Sequence, residues 1–222
     1  MKCFVLNGWA ASSAAWDLCR FRRERIFSYV EQLEGIPEKE LAACDGAILV
    51  GWSMGGSGAL RLALDFPQKV KALVLVAATP RMMEERESGW VGMSPRRLEA
   101  LRRGLELTHG EGFFGVPDGK PNPYMVDSDE NLERGLRYLR ETDLRGRLAS
   151  AAPLKIPAVI FQAERDGIVR VANADYLAGI FAGARLVKVS GTQHALTIEI
   201  PELIDDAVAA LSGSLQGGSC EI

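Results

Sequence analysis

The sequence predicts an α/β fold: a mostly parallel sheet of about six strands, flanked by helices and carrying an inserted helical cap. Three observations predict it. Short apolar runs alternate with longer helix-like segments, as in a sheet whose strands are joined by helical crossovers. The runs are rich in Val, Ile and Leu without polar alternation, as strands buried on both faces require. A glycine-rich turn carrying a serine joins one such run to a helix.

The strands are expected at 3–6, 47–50, 70–77, 158–162 and 185–189, with a weaker one at 27–30. Helices are expected at 55–64, 171–181 and 201–211. Pro67 closes the first, and Pro201 suits the first turn of the last. From 79 to 152 the alternation stops and helical spacing takes over. Leu98, Leu101 and Leu105 share one helical face, and Leu132, Leu136 and Leu139 share another. Asp127 and Glu130 have capping-box spacing ahead of the second face, and a Gly/Pro-rich loop at 110–123 lies between the two. The expected division is therefore a core from 1–78 and 153–214, a helical cap insertion at 79–152, and a flexible tail at 215–222.

The 222 residues, 47% hydrophobic and 25% charged, suit one well-buried domain with an insertion. A net charge of −3 argues against nucleic acid as a general partner. Cys3, Cys19, Cys44 and Cys220 form no C-x-x-C pair, and the chain has two histidines, so zinc-site spacing is absent. No metal or cofactor is expected, and the cysteines are read as reduced thiols. The apolar stretch after Lys2 is too short for a secretion signal, and no segment approaches the ~18 apolar residues of a membrane span. A cytoplasmic monomer without membrane attachment is the expectation.

The chemistry is concentrated at Gly51-Trp52-Ser53-Met54-Gly55-Gly56, a match to G-x-S-x-G between a strand and a helix. A serine on so tight a turn needs small neighbours. The turn lifts its hydroxyl clear of the sheet and aims the next backbone N–H, that of Met54, at a developing oxyanion. No Lys-Ser/Thr follows the glycines, so a phosphate loop is excluded. Serine needs a positioned base. His194 follows the last strand, where a loop returns to the sheet's carboxyl edge, whereas His109 reads as a solvated helix end. Asp166, in the turn after strand 158–162, is the candidate to orient the base, ahead of Glu164 and Asp175. The order Ser53, Asp166, His194 is the one expected for this kind of fold. Gly8-Trp9, after the first strand, can supply a second oxyanion N–H from Trp9.

With Gly8-Trp9, GWSMGG, ERDGIV and GTQHAL in hand, the chain resembles the α/β-hydrolase superfamily over nearly its whole length. Within it the chain most resembles the pimeloyl-[acyl-carrier protein] methyl ester esterases of biotin synthesis, through FPQKVKALVLVAATP and GLRYLRETDLRGRL. The resemblance implies a serine carboxylesterase that removes a methyl group from a pimeloyl chain borne on acyl carrier protein. It also implies Ser53, Asp166 and His194 as catalytic residues and Trp9 and Met54 as oxyanion positions. Phe113 and Phe114, in Gly112-Phe113-Phe114-Gly115, would be the aromatic counterpart that covers the acyl chain.

The chain departs from that family in three ways. One or two strands that usually precede Gly8-Trp9 are missing, Asn7 stands where a histidine is common, and the stretch from Trp9 to Ser53 is short. On the cap, Arg134, Arg137 and Arg140 lie away from the leucine face and could dock an acidic carrier. Interspersed glutamates make a solvated, ion-paired face the alternative reading. Other functions stay open: a general small-acyl esterase or thioesterase, a carbon–carbon lyase of menaquinone synthesis, or a ligand-binding receptor that keeps the fold without turnover.

Overall fold

The fold is known from a computed structural model that describes residues 1–109, 116, 119–191 and 193–217. Six strands form one parallel sheet: β1 (Lys2–Leu6), β2 (Arg25–Phe27), β3 (Ala47–Trp52), β4 (Val70–Val76), β5 (Ala158–Ala163) and β6 (Arg185–Val189), in the order β2-β1-β3-β4-β5-β6. All residues of β3 and β5 are buried, whereas the edge strands β2 and β6 are only partly covered. Successive side chains on a strand point to opposite faces, and here each face meets its own apolar cluster. Cys3, Val5, Ile48, Val50, Val74 and Phe161 belong to one cluster; Phe4, Leu6, Leu49, Leu73, Leu75 and Ile160 belong to the other. That two-sided burial explains why these strands lack polar alternation.

The helices are α1 (Tyr29–Leu33), α2 (Ile36–Ala42), α3 (Met54–Asp65), α4 (Pro95–Thr108), α5 (Asp129–Glu141), α6 (Arg145–Ala151), α7 (Val171–Ile180), α8 (Leu196–Glu199) and α9 (Pro201–Gly217). Leucines of α4 and α5 pack into one cluster with α8 and α9, and residues of α3, α6 and α7 pack into the other. The expected leucine faces are buried: Leu98, Leu101, Leu105, Leu132, Leu136 and Leu139.

Three local readings need correction. The weak strand expected at 27–30 ends at Phe27, because Ser28 and Glu31 form a reciprocal capping box that starts α1 at Tyr29. The cap of α5 is Ser128, whose Oγ accepts the Asn131 N–H, rather than Asp127. Asp127 instead accepts the Tyr29 hydroxyl at 2.6 Å, tying α5 to α1. Helix α9 continues past 214 to Gly217, and Leu215 packs against the core, so the segment from 215 does not begin as a free tail. The short helices α2 and α6 carry too few turns to show a period. No helix among the described residues is long and apolar enough to cross a membrane.

Trp9 joins α5 to the loop after β1. Its indole N–H donates to the Leu132 carbonyl of α5 at 3.1 Å. Gly135, one turn along, faces the same ring so closely that any Cβ there would collide with Trp9 Cδ1. Glycine inside a helix normally costs about 1 kcal/mol relative to alanine. At Gly135 the order should invert. Gly135→Ala is expected to lower the melting temperature in thermal denaturation; a rise would mean that α5 can lift from Trp9 at no cost.

Cys3, Cys19 and Cys44 are free and buried. Burial pushes the Cys3 and Cys19 thiols up to about 12, with the nearby Glu24 and Asp205 carboxylates adding to the effect. Thiolate is the reactive form. Neither should take up iodoacetamide in the native protein at pH 8, and both should label in urea, as read by peptide mass spectrometry. Rapid native labelling would contradict this burial.

Candidate active site

The strand β3 ends at Trp52, helix α3 begins at Met54, and Ser53 between them holds φ +56° and ψ −118°. A side chain is rarely accommodated there, and such a residue costs on the order of 1–3 kcal/mol. The surroundings hold it in place. Ser53 N–H donates to Val76 O at 2.9 Å, and Ser53 O accepts from the Gly56 and Ser57 N–H groups at 2.9 and 3.2 Å. The glycines are steric necessities: a Cβ on Gly51 would lie 2.5 Å from Gly55 O, and one on Gly55 would strike the Leu6 carbonyl.

His194 lies between β6 and α8, where its imidazole reaches back over the sheet edge. Its Nε2 is 3.0 Å from Ser53 Oγ, and its Nδ1 is 2.8 Å from Asp166 Oδ2. All three residues are buried, with relative exposures of 8, 4 and 4% for Ser53, His194 and Asp166. Among the described residues, the hydrogen-bond partners of the Asp166 carboxylate are all donors. Oδ1 accepts the Ile168 and Val169 N–H groups at 2.7 and 3.0 Å, and Oδ2 accepts Gln162 Nε2 at 3.2 Å besides the imidazole. The rival carboxylates are occupied elsewhere: Glu164 accepts the Ser190 hydroxyl and Asp175 pairs with Lys188. His109 sits at the left-handed end of α4.

The loop after β1 passes directly beside the serine. A Cβ on Gly8 would sit 3.4 Å from Ser53 Cβ. The backbone N–H groups of Trp9 and Met54 make no hydrogen bond to another described residue, as donors kept for an incoming oxyanion would be. Gly8, Trp9, Trp52, Ser53, Met82, Leu101, Tyr124, Leu139, Ile168 and His194 enclose a cavity of about 20 Å³, enough for about one water. Apart from Ser53 and His194 its walls are largely apolar, with Met82, Leu101 and Leu139 contributed from 79–152. Burial pushes the Tyr124 phenol well up, so this wall residue stays neutral.

Several residues that shape the site escaped the sequence reading. Asn7 uses its whole amide: Oδ1 accepts the Gly8 N–H and the Trp16 indole, and Nδ2 donates to Ala11 O and Ser12 O. It thereby folds the loop that carries Trp9. The Trp52 indole donates to His194 O at 3.0 Å and holds the loop that carries His194. Glu199 accepts the Gln193 N–H on the same loop. The one available signal was a polar or bulky residue at the end of an apolar run.

The cap residues stand differently. Phe113 and Phe114 lie outside the described residues. Arg140 pairs with Glu133 and Glu99, and Arg134 contacts Asn131 and Glu34. Arg137 is exposed and makes no ion pair among the described residues. None of the three lines the cavity. No group of three His, Cys, Asp or Glu among the described residues could hold a metal ion.

Comparison with known proteins agrees with this architecture. The family model for the alpha/beta hydrolase fold matches residues 6–118. The pimeloyl-[acyl-carrier protein] methyl ester esterase of Nitrosomonas europaea is 28% identical, over 89% of this chain and 90% of its own length. That of Pseudoalteromonas atlantica is 32% identical, over 78% of this chain and 79% of its own. Among solved structures, the enol-lactonase of Burkholderia xenovorans superposes with a TM-score of 0.73 at 19% identity, covering 96% of this chain and 91% of that one. An esterase from Exiguobacterium antarcticum gives 0.73 at 19%, over 96% and 92%. A strained serine between strand and helix, a parallel six-stranded sheet and a matching family model lead to one assignment: the chain belongs to the α/β-hydrolase fold family.

Proposed function

We propose that this hydrolase of ester bonds is a serine carboxylesterase acting on the methyl ester of a pimeloyl chain carried by acyl carrier protein. The observation that carries the chemical part is the continuous line from Ser53 Oγ to His194 to Asp166, with spacings of 3.0 and 2.8 Å. The substrate rests on the similarity to esterases of that name.

In this reading His194 Nε2 takes the Ser53 proton as Oγ attacks the ester carbonyl. The carbonyl oxygen gains charge facing the Trp9 and Met54 N–H groups, while Asp166 stabilises the imidazolium. The intermediate collapses, the bond to the methoxy oxygen breaks, and His194 returns the proton to release methanol. Water then attacks the acyl-serine with His194 as base, giving the free carboxylic acid and restoring Ser53. Neither step requires a metal or a cofactor.

The apolar walls suit the methylenes of an acyl chain, each worth about 0.8 kcal/mol when buried. A cavity with room for about one water admits such a chain only if wall side chains or the cap helices move. The same small volume favours a second reading, a general esterase of short acyl groups, in which the carrier plays no part. In the first reading the carrier docks on the arginine face of α5, with exposed Arg137 as its free charge and Arg134 and Arg140 beside it.

Two tests follow. Ser53→Ala should lower ester hydrolysis by at least about 10³-fold and abolish labelling by a fluorophosphonate, with the melting temperature kept. Full activity would end the assignment. Charge reversal at both Arg134 and Arg137 should cut kcat/KM for methyl-pimeloyl carrier protein by about ten-fold and leave the free methyl ester unaffected. Equal rates on the two substrates in the wild type would favour the general esterase.

A further inference from the structure

Gln162 is a fully buried polar residue next to the end of β5. By strand alternation it follows Ala158 and Ile160, both of which pack into an apolar cluster. A leucine or methionine would continue that face. Instead the glutamine buries an amide whose Oε1 has no hydrogen-bond partner among the described residues. An unmet buried acceptor is unfavourable, so the other end of the amide should account for its presence.

That end is directed at the acid turn. Nε2 lies 3.2 Å from Asp166 Oδ2, 3.0 Å from Val169 O and 3.2 Å from Ala163 O. Its two protons thus serve three acceptors, and Asp166 Oδ2 is the very oxygen that faces His194 Nδ1. The turn has further supports of its own: Asp166 N–H donates to Ala163 O, and Asp166 Oδ1 accepts from Ile168 and Val169. The amide is therefore not the sole brace of the loop. What it supplies, among the described residues, is the one side-chain donor besides the imidazole on Asp166 Oδ2.

We infer that Gln162 is a positioning residue for the reaction: its amide fixes Asp166 Oδ2 in place and competes for its lone pairs, setting the direction and strength of the bond that orients His194. The inference rests on the Ser53–His194–Asp166 reading above. It acts through Asp166 and involves no contact with substrate. It also accounts for the orphaned oxygen: the stability lost there is exchanged for a fixed acid.

The test uses Gln162→Met, which keeps length and loses the donor, and Gln162→Leu as a second apolar variant in case the first packs badly. Both should melt at or above the wild-type temperature. On a simple methyl ester both should lose kcat by on the order of ten-fold, with KM within about two-fold. The downfield proton resonance of a His–carboxylate hydrogen bond should shift in the variants, because Oδ2 has one donor fewer. Wild-type kcat in both variants overturns the inference. So does an equal fall in kcat and stability with an unmoved resonance, which would make the amide a turn brace only. An active Ser53→Ala control would overturn the inference together with the triad reading, whereas an inactive Ser53→Ala beside glutamine variants of wild-type kcat overturns the inference alone.

Discussion

The backbone of Ser53 is the constraint on which the remainder of the site depends. A residue with a Cβ at φ +56° persists only where its neighbours leave it no alternative. Here β3 fixes one side, the start of α3 fixes the other, and β4 supplies the Val76 carbonyl that receives the Ser53 amide. Glycines at 51 and 55 let β1, β3 and α3 approach closely enough to impose the bend. The sheet order then places the loops after β1, β5 and β6 around that bend. The meeting of Ser53, Asp166 and His194 is thus a consequence of a parallel sheet, whose strands all end on the same side.

Rigidity at the serine is matched by redundancy around it. The loop carrying Trp9 is folded by the Asn7 amide, the loop carrying His194 is held by Trp52 and Glu199, and the turn carrying Asp166 is held by its own backbone and Gln162. Most of these supports are local bonds within a few residues, whereas the Trp52 indole reaches across the fold to the His194 carbonyl. The buried ones among them gain strength from the low local dielectric. Helix α5 belongs to the same system through Trp9 and Leu132.

How much of this was legible in the sequence follows from the range of each signal. The elbow was legible because its demands are local: a serine flanked by glycines between an apolar run and a helix. Asp166 and His194 were legible from their positions after strands, since topology brings those loops to one edge. The register of β2 was misplaced because Phe27 and Val30 are both apolar, and the capping box at Ser28, not hydrophobicity, decides where extended chain turns into helix. Asp127 and Ser128 compete for one cap, and the tertiary bond from Tyr29 assigns them different tasks. Asn7, Trp52 and Gln162 were missed for a different reason. The Trp52 partner lies far along the chain, the meaning of Gln162 depends on which face of its strand it occupies, and the task of Asn7 depends on how the loop after β1 folds.

The two margins of the sheet carry a final consequence. An open strand edge exposes unpaired peptide groups that can recruit another chain and seed aggregation. In this molecule one margin is the three-residue strand β2, where Arg25 is held by Glu31 and Glu40, and the other is β6, which carries Arg185 and Lys188. Brevity on one border and charged, ion-paired side chains on both make lateral growth of the sheet unfavourable.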